Sequence, residues 1–382
     1  MKFKWKALPV SALAILMPSL ASAQYTRTDL VTNSGAGGTV QDSHLVNGWG
    51  LVSTSMSPFW VSDNGTGLST LYSITNSGGV VTATPLGLVV SIPPAPPSTG
   101  PGQPTGVVAT ELPANSTAFT VSGVNPVTNQ QASGPSFFIF ATFDGTISGW
   151  NPAVGGITKT GASKATPAAD RSGAGAIYTG LAIATNNGQK FLYAADDGAN
   201  RRVDVFDSNF TLVEPGQDGF AQDAFVDAKI PKDFAPYGIQ TITDANGVET
   251  VWVTYTALDK AQGGFVDSFT PAGVLKKHFA LTGPLHSPWG VALAPSDFGP
   301  MSNALLITNN TPHGRINAFD PSSGAFLGPL RDESGKAIEI DDVWAIQFGQ
   351  GLGSNGNTDQ LFFTAGSKGY SEGSFGVIKF GH

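Results

Sequence analysis

Ser287-Pro288-Trp289-Gly290-Val291-Ala292-Leu293-Ala294-Pro295 holds the pattern on which the fold turns. An aromatic residue, a glycine and a short apolar run follow one another. The same element recurs as Trp49-Gly50-Leu51-Val52, Thr105-Gly106-Val107-Val108, Thr179-Gly180-Leu181-Ala182 and Tyr237-Gly238-Ile239. A sixth copy, Trp344-Ala345-Ile346, has Ala in place of Gly. Successive copies lie 56, 74, 58, 52 and 55 residues apart. Self-similarity at such a spacing marks repeated supersecondary units.

Outward from each copy the same order returns. A second apolar strand follows, as in Phe59-Trp60-Val61, Phe191-Leu192-Tyr193 and Leu305-Leu306-Ile307. A polar turn leads to an alternating third strand, such as Val203-Asp204-Val205-Phe206, Phe265-Val266-Asp267-Ser268-Phe269 and Ile316-Asn317-Ala318-Phe319. A less regular fourth strand, such as Val80-Val81-Thr82-Ala83-Thr84, fills the space before the next copy. Six four-stranded units predict an all-β, six-bladed β-propeller. A β-sandwich would need seven or so strands without six similar units of four. No helix-period stretch of useful length appears. The last copy supplies only three strands, at 344–348, 361–365 and 377–380, and Tyr25 to Thr32 has no blade of its own. That N-terminal strand is therefore expected to close the ring as the outer strand of the last blade, leaving no free edge. Two insertions break the period. Ser91 to Pro104 is Pro-rich and reads as an extended surface loop, and Ala118-Phe119-Thr120-Val121 reads as an extra strand in blade 2.

Composition agrees with this class. Gly and Pro make up about a fifth of the 382 residues, against helix, and 41% hydrophobic residues suffice for a large core. The absence of Cys excludes disulfides, thiolate zinc sites, iron–sulfur clusters and cysteine nucleophiles. Lys2, Lys4 and Lys6, an apolar run from Ala7 to Leu20 and Ala21-Ser22-Ala23 read as a signal peptide over 1–23. The expected mature chain, 24–382, is one propeller domain, exported to the periplasm or the extracellular space. Removing three lysines takes the net charge of −8 to −11, which argues against a nucleic-acid partner. No other segment is long and apolar enough to span a bilayer.

Several stretches carry a resemblance. They are Leu45-Val46-Asn47-Gly48-Trp49-Gly50-Leu51, Phe59-Trp60-Val61-Ser62-Asp63-Asn64-Gly65-Thr66-Gly67, Phe140-Ala141-Thr142-Phe143-Asp144-Gly145-Thr146-Ile147-Ser148-Gly149-Trp150 and Gly314-Arg315-Ile316-Asn317-Ala318-Phe319-Asp320-Pro321. In these the chain resembles a family of uncharacterised bacterial exported proteins, some with a PEP-CTERM sorting tail, which is absent here. The blades are similar to NHL-type and regucalcin/gluconolactonase-type propellers. That likeness implies a fold and, by itself, no function.

Strand order would place the loops entering first strands and those joining second to third strands on one rim. That rim would hold His44, Asp63, Asn64, Asp144, Asp197, His286, Asn310 and His313 as binding candidates. Asn47, Asn309 and Asp342 would stand nearest the channel as ligands for a divalent cation such as calcium, which takes oxygen donors. The rival reading makes these residues turn formers that cap their own backbone. Trp49, Trp289 and Trp344 recur at one repeat position, either packing between blades or lining the channel for sugar stacking. Arg201 and Arg202 follow Asp196-Asp197 and would pair with them. There is no HExxH pair, nucleophile elbow, phosphate loop or dinucleotide fingerprint. Two functions remain: a module binding a protein, glycan or small molecule, or a metal-dependent hydrolase or lactonase working in the channel.

Overall fold

The computed structural model describes residues 25–259, 263–279 and 283–381; the expected signal peptide lies outside them. Six antiparallel sheets radiate about one axis, as the repeat predicts. Their inner strands are Gly48–Val52, Pro104–Ala109, Tyr178–Asn186, Phe234–Thr243, Pro288–Leu293 and Val343–Phe348, in blades 1 to 6. Among the described residues no helix is long and apolar enough to cross a membrane.

Glycine sets how closely the inner strands approach. A Cβ on Gly106 would come within 2.3 Å of the Leu181 nitrogen in the next blade, and one on Gly238 within 2.1 Å of the Trp289 carbonyl. No real Cβ tolerates such contacts, so the recurring glycine is a packing requirement of the axis. Hydroxyls stitch the same junctions. Thr308 Oγ1 donates to the Trp344 carbonyl at 2.8 Å, and Thr364 Oγ1 to the Trp49 carbonyl at 2.7 Å. Each joins one blade to the inner strand of the next.

The core is a ring of clusters between neighbouring blades. Trp60 stacks on Phe138 at 3.9 Å between blades 1 and 2, and Phe59 meets Phe362 at 4.5 Å between blades 1 and 6. Each such aromatic ring buries a large apolar area, and aliphatic side chains fill the rest of these clusters.

Closure is as expected. Tyr25–Thr32 pairs antiparallel with Ser374–Phe380, from Tyr25 opposite Phe380 to Thr32 opposite Ser374, with a bulge between Asp29 and Val31. The Tyr25 hydroxyl donates to the Phe298 carbonyl at 2.7 Å, so the closing strand also grips blade 5.

Both insertions take the expected form, an irregular Pro-rich loop and an extra strand in blade 2, with additions of their own. The extra segment of blade 2 is a separate hairpin, Thr120–Val124 with Gln131–Pro135. At the edge of the Pro-rich loop, Val89–Ser91 pairs in parallel with Ala162–Lys164, tying blade 1 to the end of blade 2. Arg202 pairs with Asp204 at 2.6 Å, and Arg201 reaches the Lys232 carbonyl; neither joins Asp196 or Asp197 as expected. Asp196 instead accepts the backbone N–H groups of Ile177 and Gly198, both at 2.8 Å.

Candidate functional site

One end of the channel carries the polar rim. A repeated backbone bond fixes its geometry: Asn64 N–H donates to the Asn47 carbonyl, Asp197 to Ile177, Asn310 to Ser287 and Gly366 to Asp342. Asn47, Ser287 and Asp342, each just ahead of an inner strand, have φ of 49°, 47° and 50°. Asn and Asp adopt this left-handed conformation at low cost, which accounts for two of the three.

The candidate ligands separate here. Asn47 Oδ1 accepts the Trp344 indole N–H at 2.8 Å, and its Nδ2 donates to Asn64 Oδ1 at 3.1 Å. Asn309 turns outward and donates to the Pro284 carbonyl at 2.9 Å. Asn310, its neighbour just beyond the strand, faces the axis and accepts from the Tyr370 hydroxyl at 3.1 Å. Asp342 is buried near Tyr237 and Tyr370; burial, then the charge of Asp341, raises its carboxyl above the usual range. Asp197 lies close enough to act on Tyr237 as well.

The remaining rim candidates scatter. Asp63 is fully buried under the rim, and burial pushes its carboxyl well above the ordinary range. Asp144 caps the Gln103 N–H at 3.1 Å. His44 pairs with Asp42 at 2.9 Å, His313 is exposed beside Glu339, and the His286 backbone bridges to Gly263.

Below the rim the channel is plugged. Trp49 and Trp344 stack at 3.7 Å, Trp289 meets Trp344 edge-on at 6.0 Å, and Tyr237 and Tyr370 flank Trp344 at 5.9 and 5.7 Å. Trp289 Nε1 donates across the axis to the Thr179 carbonyl at 2.9 Å. Of the two readings of these tryptophans, packing between blades holds and an open sugar-stacking wall does not. They pack on one another and fill the axis.

The opposite mouth is open. Beyond a gap of about 40 Å³ under the plug, room for about one or two waters, the channel widens into a bowl of about 740 Å³. Leu51, Val107, Leu181, Gln240, Val291 and Ile346, one from each blade, line it, with Glu111, Lys190 and Glu249 among its polar groups. Glu249 is engaged by the Thr185 N–H at 2.7 Å. The volume suits a small ligand, and the lining is mixed, with aliphatic side chains at the floor and charged, amide and hydroxyl groups around them. Polar rim motifs gave no sign of this bowl. Its only trace in the sequence is the run of small and aliphatic residues after each repeat glycine.

No family model matches the chain. An uncharacterised protein of Acanthamoeba polyphaga mimivirus is 30% identical over 230 residues, covering 58% of this chain and 39% of that protein. The chain thus spans well under half of that relative. A second uncharacterised protein of the same virus is 28% identical over 334 residues, 85% of this chain and 79% of its own length. Both relatives are viral, and neither supplies a bacterial source or a PEP-CTERM tail for the resemblance drawn from the motifs. Among solved structures the fold is similar to a streptogramin B lyase (10% identity, 94% of this chain and 97% of that one, TM-score 0.46). It is also similar to the soluble aldose sugar dehydrogenase of Escherichia coli (12%, 94% and 100%, 0.47) and the periplasmic gluconolactonase of Pseudomonas aeruginosa (15%, 88% and 86%, 0.42). At such identities the chemistry of those proteins stays with them.

Proposed function

We propose that this propeller is an exported binding module that takes a small apolar molecule in the bowl opposite the polar rim. One observation carries the reading: the open end of the channel is a cavity of about 740 Å³ whose floor is apolar in five blades of six. Burial of apolar ligand surface drives such binding at about 25 cal/mol per Å². Lys190 and Glu111 at the lip would orient a polar end of the ligand. Export rests on the basic start and Ala21-Ser22-Ala23. The alternative is a calcium-type hydrolase or lactonase. It would have to use the rim, where Asp342 and Asp197 stand near Tyr237 above the plug.

Titration of the native protein with an anilinonaphthalene sulfonate dye tests the reading. One saturable site is expected, and Ile183→Asp, on the bowl wall, should weaken it at least about tenfold, or 1.4 kcal/mol. A dye that fails to saturate, or affinity unchanged in the variant, sinks it. Stoichiometric calcium binding lost in Asp342→Asn would favour the alternative.

A further inference from the structure

The third strands share one buried polar position. Pairing sets Thr70 opposite Val61, Ser148 opposite Phe140, Asp204 opposite Ala194, Asp267 opposite Val253 and Asn317 opposite Ile307, in blades 1 to 5. In blade 3 the charge is neutralised: Arg202 Nε lies 2.6 Å from Asp204 Oδ1, and the Tyr178 hydroxyl donates to Oδ2 at 2.8 Å. In blade 5 the residue is neutral, and Asn317 donates to the Pro284 carbonyl.

Blade 4 solves the problem differently. Asp267 is fully buried, and no arginine meets it. His278, on the outer strand Leu275–Phe279, and Asp227, on the connection from blade 3, close around it. His278 Nδ1 lies 2.8 Å from Asp267 Oδ1 and 2.8 Å from Asp227 Oδ2. One ring nitrogen carries at most one proton, so it serves only one of the two oxygens. Asp227 Oδ2 and Asp267 Oδ2 are both buried, the first with no partner but that shared nitrogen and the second with only the Tyr255 hydroxyl beside it. Among the described residues no lysine or arginine pairs with either carboxylate. Two carboxylates and one imidazole leave a net negative charge even with the imidazole protonated. An uncompensated buried charge is costly.

We propose that Asp227, Asp267 and His278 form a site for a divalent first-row transition ion of the zinc or manganese class. With a neutral imidazole, such an ion cancels both carboxylates. The three donor atoms lie within 4.8 Å of one another, and bonds of about 2.0–2.2 Å would close that set with small movements. An imidazole among the donors selects against calcium, which takes oxygen. A cleft of about 390 Å³ between blades 3 and 4, lined by Asp227, Tyr255, Arg202 and Phe225, gives the ion a way in. Bound there, it would pin the connection carrying Asp227 to blade 4. The site is off the channel and independent of what the bowl binds.

The test uses the whole chain, stripped with a chelator, dialysed and titrated separately with Zn²⁺, Mn²⁺ and Ca²⁺. The expected result is about one Zn²⁺ or Mn²⁺ per chain with a rise in melting temperature, and no calcium uptake. Asp227→Asn, on the connection rather than in a strand, and His278→Gln should each weaken uptake about 100-fold. Asp204→Asn, the blade 3 counterpart, should leave it unchanged. Cobalt-loaded protein should show visible absorption that changes in His278→Gln, a readout that a purely structural role would not move. A stripped wild type that takes up neither Zn²⁺ nor Mn²⁺, or uptake that survives Asp227→Asn with His278→Gln combined, overturns the proposal.

Discussion

At its polar end the channel is filled by Trp49, Trp289, Trp344 and Tyr237; at its other end the same strands leave a bowl of about 740 Å³. Both ends come from one repeat, read from its start and from its finish. The residue before each repeat glycine is large and aromatic in four of the six blades, and the residues after it are small or aliphatic. Glycine draws the inner strands together, so the large side chains must meet on the axis, while the later ones are too short to do so. A cavity in such a ring therefore forms where side chains run out of reach. It need not coincide with the loops that carry Asp, Asn and His.

The sharpest way to break this contrast is Trp344→Ala. It removes a side chain that touches four other aromatic rings of the plug, and should cost about 3–5 kcal/mol in denaturant unfolding. Acrylamide should then quench the remaining channel tryptophans more strongly. A loss below about 1 kcal/mol would mean that the plug does not hold the axis. Asn47→Ala comes next, at about 2 kcal/mol, because it removes the acceptor for the Trp344 indole and forces alanine into positive φ. Asn47→Gly should recover the backbone part alone; equal losses in the two would put the whole effect on the hydrogen bond. Tyr370→Phe should cost least, about 1 kcal/mol, through the bond to Asn310. Its dye affinity should match wild type. A changed affinity would show that the two ends communicate through the plug.

Blade count, strand order and the closing strand could be read because each rests on repetition: six copies at similar spacing, and one orphan segment, Tyr25–Thr32, matched to one incomplete blade. Features that occur once could not. The parallel pairing of Val89–Ser91 with Ala162–Lys164 joins segments some 70 residues apart without a local signal. At the rim adjacent residues part company: Asn309, the last residue of its strand, donates to the Pro284 carbonyl, while Asn310, just beyond it, meets Tyr237 and Tyr370, and nothing in the local sequence separates the two. The acid cluster of blade 4 had half a signal. Asp267 is a charge inside an apolar strand, which demands a partner. His278 is 11 positions on, but Asp227 reaches it only through the path of the connection.

The closing strand also sets a timetable. Tyr25–Thr32 is made near the start of synthesis, and Ser374–Phe380, its partner, some 350 residues later. Blades 1, 3, 4 and 5 are built around contiguous hairpins and can form as they emerge. Leu30 and Val31, buried in the finished ring between blade 1 and the last blade, lack the Phe375 and Val377 side of their cover until the last residues arrive. The final pairing joins the two ends of the chain and can form only after the last strand has been made. During that wait an unpaired edge stands at each end of the incomplete ring, and any chain that offers a strand competes for it.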